Sequence, residues 1–151
     1  MALSTHTTLL MNSRDLVVLS MSALFLLGGC KKENNIGVPL TNVDININVN
    51  LPEYVDLTAT GGWVYITGGS QGIIVYRNGP DQFTAMDRHC TYQPENLCKV
   101  YVDDSQVIAR DTICCGSAFL MLDGSVTEGP AALGLKLYHT TFNGTTLHIF
   151  N

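Results

Sequence analysis

The residues able to do chemistry in this 151-residue chain are its five cysteines: Cys30, Cys90, Cys98 and the adjacent pair Cys114-Cys115. Thiols at these spacings can oxidise to disulfides, hold a metal as thiolates, or exchange disulfides. The last four allow three pairings. Joining the neighbours Cys114 and Cys115 forces a strained ring through a distorted or cis peptide, a cost of a few kcal/mol at a non-proline bond. Exchange at that vicinal pair needs a cation beside a thiolate. Arg88 and Arg110 are near in sequence, but no Cys-x-x-Cys motif or helix start accompanies them. His89 adjoins Cys90, and in an extended segment neighbours point to opposite faces. His139 and His148 read as surface or hydrogen-bonded residues, and no Ser-His-Asp or Cys-His arrangement has supporting context. Asp103-Asp104 and Asp123-Gly124 read as turns rather than paired catalytic carboxylates. The pairs Gly61-Gly62 and Gly68-Gly69 have no following helix, so they are not phosphate loops.

Cys30 is set apart by what precedes it. Residues 16–27, LVVLSMSALFLL, form an apolar run broken only by Ser20 and Ser22, with Arg14 before it. The run is too short to span a bilayer and suits the core of a secretory signal. Met11 is a second candidate start that gives a signal of more ordinary length. The run ends Leu27-Gly28-Gly29-Cys30. Small residues before a cysteine, directly after an apolar core, resemble the lipobox of bacterial lipoproteins. That resemblance implies cleavage before Cys30 and acylation of its thiol, and several acyl chains give stable anchoring at about 0.8 kcal/mol per buried CH₂. Residues 31–42 open with KKENNIGVPL, polar and carrying Gly37 and Pro39, and read as a tether. Export places the remaining four cysteines in an oxidising compartment, where they are expected to pair; zinc held by four thiolates is the weaker reading there.

The elements that must position these cysteines read as strands. The chain is 46% hydrophobic and only 14% charged, which argues against wholesale disorder. Its formal charge of −5 survives removal of the leader, which holds one basic and one acidic residue, Arg14 and Asp15. With no basic cluster beyond Lys31-Lys32, the composition argues against a nucleic-acid role. Residues 43–49 alternate, placing Val43, Ile45, Ile47 and Val49 on one face. Residues 63–67 and 72–76 read as strands, the second a buried run ending at the turn Asn78-Gly79-Pro80. Strands are expected at 82–86, 100–102, 106–109, 118–122, 135–142 and 146–150, with hairpin signals at Asp123-Gly124 and Asn143-Gly144. Tyr65, Tyr76, Tyr101 and Tyr138 read as strand-packing residues. No sustained helical period and no internal repeat is present. Many short strands at this spacing suggest a sandwich or barrel.

Around the cysteines the text is Asp87-Arg88-His89-Cys90-Thr91-Tyr92, then Cys114-Cys115-Gly116-Ser117-Ala118-Phe119, then Asp123-Gly124-Ser125-Val126, Gly129-Pro130-Ala131, Leu135 and Tyr138. Over most of residues 51–151 this resembles the Rieske iron–sulfur domain. That family shows a Cys-x-His loop, a Cys-x-Cys-His-Gly-Ser loop, an aspartate-glycine hairpin and a Gly-Pro-Ala loop. The resemblance implies an all-β, Rieske-like β-sandwich with a small loop subdomain that holds Cys90, Cys98, Cys114 and Cys115. A Rieske [2Fe–2S] centre holds one iron with two Cys and the other with two His. By alignment, Cys90 takes a cysteine position and Tyr92 a histidine position. Aligning on Gly116-Ser117 puts Thr112 at the other cysteine and Cys115 at the other histidine. One of the four ligand positions keeps its family residue, and Tyr or Thr oxygen is a poor substitute at a sulfide cluster.

Cys98 and Cys114 correspond to the pair that forms a disulfide in many Rieske domains. The resemblance therefore favours Cys98–Cys114 and leaves Cys90 and Cys115 for a second bridge across the place where cluster ligands would converge. Each bridge is worth about 3 kcal/mol in the chain-entropy model, and the second adds less because the first has closed most of the loop. A cluster on Cys90, Cys98, Cys114 and Cys115 together is conceivable, but it sacrifices the disulfide and makes neighbours converge.

The organisation expected is a lipoprotein signal over 1–29, a lipidated cysteine and tether over 30–42, and a Rieske-like domain over 43–151. The expected function is a non-enzymatic, disulfide-stabilised structural or binding module, without a cofactor, held at a membrane by its lipid. The competing expectation is a [2Fe–2S] electron-transfer protein with non-standard ligands. Lys31, rather than an aspartate, after Cys30 leans towards the outer over the inner membrane of a bacterial envelope. No protein or redox partner is legible.

Overall fold

The computed structural model describes residues 37–151. The leader, Cys30 and most of the tether lie outside the described residues. Within them, no helix is long and apolar enough to cross a membrane.

The uniformly apolar run at the start of β3 is explained by its place in the fold. Strands β1 (Asp44–Asn48), β2 (Trp63–Ile66), β3 (Ile73–Gly79), β4 (Gln82–Asp87), β9 (Leu137–Phe142) and β10 (Thr146–Phe150) form an antiparallel sheet in the order β1-β10-β9-β4-β3-β2. Successive side chains on β3 leave opposite faces. Ile73 and Val75 enter one core with Val43, Ile47, Leu57, Ala85, Leu147 and Ile149. Ile74 and Tyr76 enter another with Met86, Val100, Ala109, Phe119 and Met121. Both faces of this strand are buried, so it cannot alternate apolar with polar residues. On β1, which lies at the sheet edge, alternation survives: Val43, Ile47 and Val49 are buried, while Asp44 and Asn46 are exposed.

The second core is closed by a smaller antiparallel sheet, β5 (Tyr101–Val102), β6 (Ile108–Arg110), β7 (Ala118–Leu120) and β8 (Val126–Glu128), in that order. The architecture is the all-β one expected from sequence. The Asp123-Gly124 turn joins β7 to β8 with Gly124 at φ +72°, and Asn143-Gly144 joins β9 to β10 with Gly144 at φ +93°. At the latter, Asn143 Oδ1 accepts from the Thr145 and Thr146 amides. Two differences from expectation have local causes. The strand expected from residue 106 begins at Ile108, because Gln106 sits at φ +64° and closes a turn on Asp103. Pro52–Thr58, not expected as an element, is a 3₁₀ helix that drops Leu57 into the first core.

The sheets deliver the cysteine loops through a buried carboxylate. Asp87, at the end of β4, is fully buried and accepts four hydrogen bonds. Its Oδ2 takes the Ser70 amide at 2.6 Å and the Tyr138 hydroxyl at 2.7 Å. Its Oδ1 takes the Gln71 amide at 3.2 Å and the His89 amide at 2.9 Å. Gly69, at φ +62°, is needed here: a Cβ would lie 2.5 Å from Asp87 Oδ2 and 2.6 Å from the Tyr138 hydroxyl. Burial, and then the bond to Asp87, raise the Tyr138 pKa well above the usual phenol range.

Replacing Asp87 by Ala strands several buried donors, each worth about 1–3 kcal/mol when unsatisfied. The expected loss is about 3 kcal/mol or more in urea unfolding. Tyr138→Phe, which removes a single donor, is expected to lose about 1 kcal/mol; equal losses would show that the carboxylate is not the organising group.

Candidate functional site

Two loops meet below the smaller sheet. The first leaves β4 through Arg88 and His89 to Cys90, Thr91 and Tyr92, then turns at Pro94–Asn96 and returns through Cys98. It is held by the Cys90 amide donating to the Cys98 carbonyl at 2.9 Å, and by a bridge between His89 and Lys99. The second runs from Asp111 to Ser117 between β6 and β7. A third segment after Gly129 ties both: the Ala131 amide donates to Ser117 Oγ at 2.9 Å, and Thr91 Oγ1 donates to the Leu133 carbonyl.

Cys98 and Cys114 form a disulfide between the first two loops, with Cα atoms 6.3 Å apart and sixteen residues of separation. The adjacent Cys115 diverges from Cys114 and approaches Cys90. Cys90 and Cys115 are free thiols, their Sγ atoms 3.7 Å apart. The expected second bridge is thus unformed in this structure, since a disulfide needs about 2.05 Å. The side chains are brought together without being joined.

The residue that sequence reasoning missed is Asp111. It is fully buried at the base of the second loop. Its Oδ1 accepts from the Cys114 amide at 2.9 Å and the Ile113 amide at 3.1 Å. Its Oδ2 accepts from Cys115 Sγ at 3.2 Å. Burial pushes its pKa up, but the hydrogen bonds from Cys114, Cys115, Ile113 and Cys90 outweigh that, and the net displacement is downward. Asp111, Cys90 and Cys115 place one ligand atom each within 4.8 Å of one another. The available signal was an Asp whose side chain caps the amides two and three residues on, a turn pattern common for Asx residues.

The other site candidates fall apart or stay peripheral. Tyr92 is half-buried or better and packs against the core that contains Cys90, whereas Thr112 is exposed. His89 is buried and faces away: its Nδ1 pairs with Ser70 Oγ at 2.8 Å and its Nε2 with the Pro94 carbonyl at 2.7 Å. His148 meets Asp44 at 2.7 Å on the far sheet, and His139 packs on Phe150. Neither arginine serves a thiolate. The Arg88 guanidinium lies over the Tyr65 and Tyr101 rings, 3.9 and 4.8 Å from their centroids, so these two tyrosines clamp a cation at the surface. Arg110 pairs with Glu128 at 2.7 Å and the Gly116 carbonyl at 3.1 Å. Tyr76 and Tyr138 are buried, as expected of strand-packing residues.

Burial is the main reason the Cys90 thiol is pushed up to about 12; an amide at Tyr92 lowers it, and Cys115 and Asp111 raise it further. A thiol raised above its unfolded value adds stability that is complete below about pH 9 and is lost as pH rises towards 12. Alkylation of Cys90 in the folded chain is therefore expected to keep rising about tenfold per pH unit from about pH 7 to 10, without the plateau an ordinary thiol shows; a plateau below about pH 9 contradicts it. Removing the loop tie by Cys98→Ser with Cys114→Ser is expected to cost about 3 kcal/mol in equilibrium unfolding, from the length of the closed loop.

No family model and no curated protein sequence matches the chain. Solved structures do. The plasma membrane Rieske protein PetC3 of the cyanobacterium Synechocystis PCC 6803 superposes with a TM-score of 0.54 at 25% identity, covering 71% of this chain and 99% of that one. The ferredoxin of carbazole 1,9a-dioxygenase from Nocardioides aromaticivorans IC177 gives a TM-score of 0.48 at 16% identity, covering 74% and 98%. Two antiparallel sheets, two disulfide-tied loops and a match across nearly the whole cyanobacterial structure lead to one conclusion: this chain carries a Rieske-like domain.

Proposed function

We propose that this chain is a Rieske-like lipoprotein, anchored at a bacterial envelope membrane through Cys30, that serves as a disulfide-stabilised structural or binding module and not as an electron carrier or enzyme. The observation that carries this reading is the donor set at the loop tips. A Rieske centre needs two thiolates and two imidazoles. The corresponding positions here hold Cys90, Tyr92, Thr112 and Cys115. The adjacent imidazole, His89, has both ring nitrogens engaged elsewhere, and Thr112 is turned to solvent. A hydroxyl and a phenol do not replace thiolate and imidazole at a sulfide-bridged iron pair, so the residues present do not fit the family's cluster. A cluster on four thiolates is opposed by the Cys98–Cys114 disulfide, which uses two of them.

The membrane part rests on the apolar run before Leu27-Gly28-Gly29-Cys30. It is supported by the cyanobacterial relative, itself a plasma membrane protein. Lys31 favours the outer membrane. The loop scaffold, freed from the cluster, presents a half-buried thiol and the exposed Ile113 and Leu97 at one end of the domain.

The test is the full chain expressed in an exporting host and purified without reductant. The expected preparation is colourless, holds no stoichiometric iron or acid-labile sulfide, gives no paramagnetic signal on reduction, and carries an acylated Cys30 by mass spectrometry. A brown protein with two irons and two sulfides per chain overturns the reading and makes this an electron carrier.

A further inference from the structure

We infer that Cys90, Cys115 and Asp111 form a mononuclear site for a thiolate-preferring divalent cation of the zinc type. The inference rests on the misfit between these residues and an iron–sulfur cluster, and goes beyond it by giving the binding module a ligand.

The geometry matches the ion. Tetrahedral zinc with Zn–S of about 2.3 Å sets two sulfurs about 3.8 Å apart, and a sulfur and an oxygen about 3.5 Å apart. The Cys90 and Cys115 sulfurs are 3.7 Å apart, and Cys115 Sγ is 3.2 Å from Asp111 Oδ2. Two edges of a tetrahedral face are thus already near the spacing zinc sets, and the third donor pair, Cys90 and Asp111, lies within 4.8 Å. Disulfide formation, by contrast, requires the sulfurs to approach from 3.7 Å to about 2.05 Å.

The supports around the donors are those a metal site needs. Asp111 Oδ1 is held by the Ile113 and Cys114 amides, which leaves Oδ2 aimed at the sulfurs. Cys115 Sγ receives the Ser117 amide at 3.4 Å and has Ser117 Oγ at 3.0 Å. Because that hydroxyl oxygen already accepts from the Ala131 amide, its proton is free to point at the sulfur. The Cys98–Cys114 bridge fixes the two loops at this spacing without consuming either donor. The two arginines nearest in sequence are engaged elsewhere, and a divalent ion would neutralise the buried Asp111 carboxylate together with the thiolates its binding creates. Binding replaces the two S–H protons, so two protons leave per ion, and both sulfurs and the carboxylate end as ligands. Three protein ligands leave a fourth position on the side of the half-buried Cys115, where water or a small ligand completes the shell.

The experiment uses the full chain, purified anaerobically without reductant, with Co²⁺ as the optical probe and Zn²⁺ as competitor. One Co²⁺ per chain is expected, with the intense visible bands of tetrahedral cobalt and a thiolate-to-metal charge-transfer band, both erased by one equivalent of Zn²⁺. Cys115→Ser and Cys90→Ser are each expected to abolish tight binding and weaken the charge-transfer band severely. Asp111→Asn keeps Oδ1 for the two amides, so it should fold as the parent does by circular dichroism while weakening Co²⁺ at least about tenfold. His148→Ala, at an imidazole far from the loops, should change nothing. Octahedral bands, binding unaffected by Asp111→Asn, or a Cys90–Cys115 disulfide that excludes cobalt overturns the inference. These failures are distinct from that of the functional reading, which falls only if iron and sulfide are present before any metal is added.

Discussion

The arrangement of the whole loop end depends on one buried charge, the Asp87 carboxylate. Four donors from three parts of the chain converge on it: Ser70 and Gln71 from the turn after β2, His89 from the entry to the first cysteine loop, and Tyr138 from β9. A buried carboxylate is tolerated only when its oxygens are satisfied, so the polypeptide has few ways to fold around it. Fixing the His89 amide fixes where Cys90 starts, and the direction of Cys90 follows from the alternation of side chains. The His89 ring is then committed to Ser70 and Pro94, on the side away from the thiols. That the His89 imidazole stays away from the thiol pair is thus a consequence of how the loop is anchored.

Much of the scaffold was legible because its signals are local. Asparagine-glycine at 143-144 and aspartate-glycine at 123-124 need residues that accept positive φ, and both mark hairpins. The apolar run in β3 announced a strand buried on both faces. What failed to show were features whose cause is tertiary. Val126–Glu128 is a strand because it lies against β7, while its own residues are mostly exposed and carry no periodic signal. Gln106 looked like strand because of the β-branched residues after it; the Asp103 turn overrides that preference. At the site, the cysteines were visible by type, and the Cys98–Cys114 pairing followed from resemblance. Asp111 was not visible, because an aspartate before Thr-Ile in a loop looks like any turn residue until its other oxygen is found at a sulfur.

The disulfide and the free thiol pair divide the labour of four cysteines that sequence alone treats as equivalent. Cys114 and Cys115 are neighbours, so their side chains leave the backbone in different directions. One reaches Cys98 and the other reaches Cys90, two separate buried residues of the second core. The covalent tie between Cys98 and Cys114 holds the loops at fixed spacing, which is what allows a second pair to be close yet unbonded. Without the tie, the loops would be held by the Ala131 and Thr91 bonds and by core packing, and the Cys90 sulfur would be placed near Cys115 and Asp111 by its own hydrogen bonds to them. A thiol is a weak donor and a weak acceptor, so these bonds alone are a poor guarantee of spacing.

The same arrangement bears on chemistry. A scaffold that fixes donors by a covalent bridge and buried carboxylates presents a rigid cage whose content is set by donor type. Two imidazoles and two thiolates select an iron–sulfur pair; two thiolates and one carboxylate at tetrahedral spacing select a single closed-shell ion. Only a few side chains separate the two outcomes, because Asp87, the hairpins and the disulfide are indifferent to what the loop tips hold. The fold therefore transmits position, and the donors at the loop tips decide what is placed there.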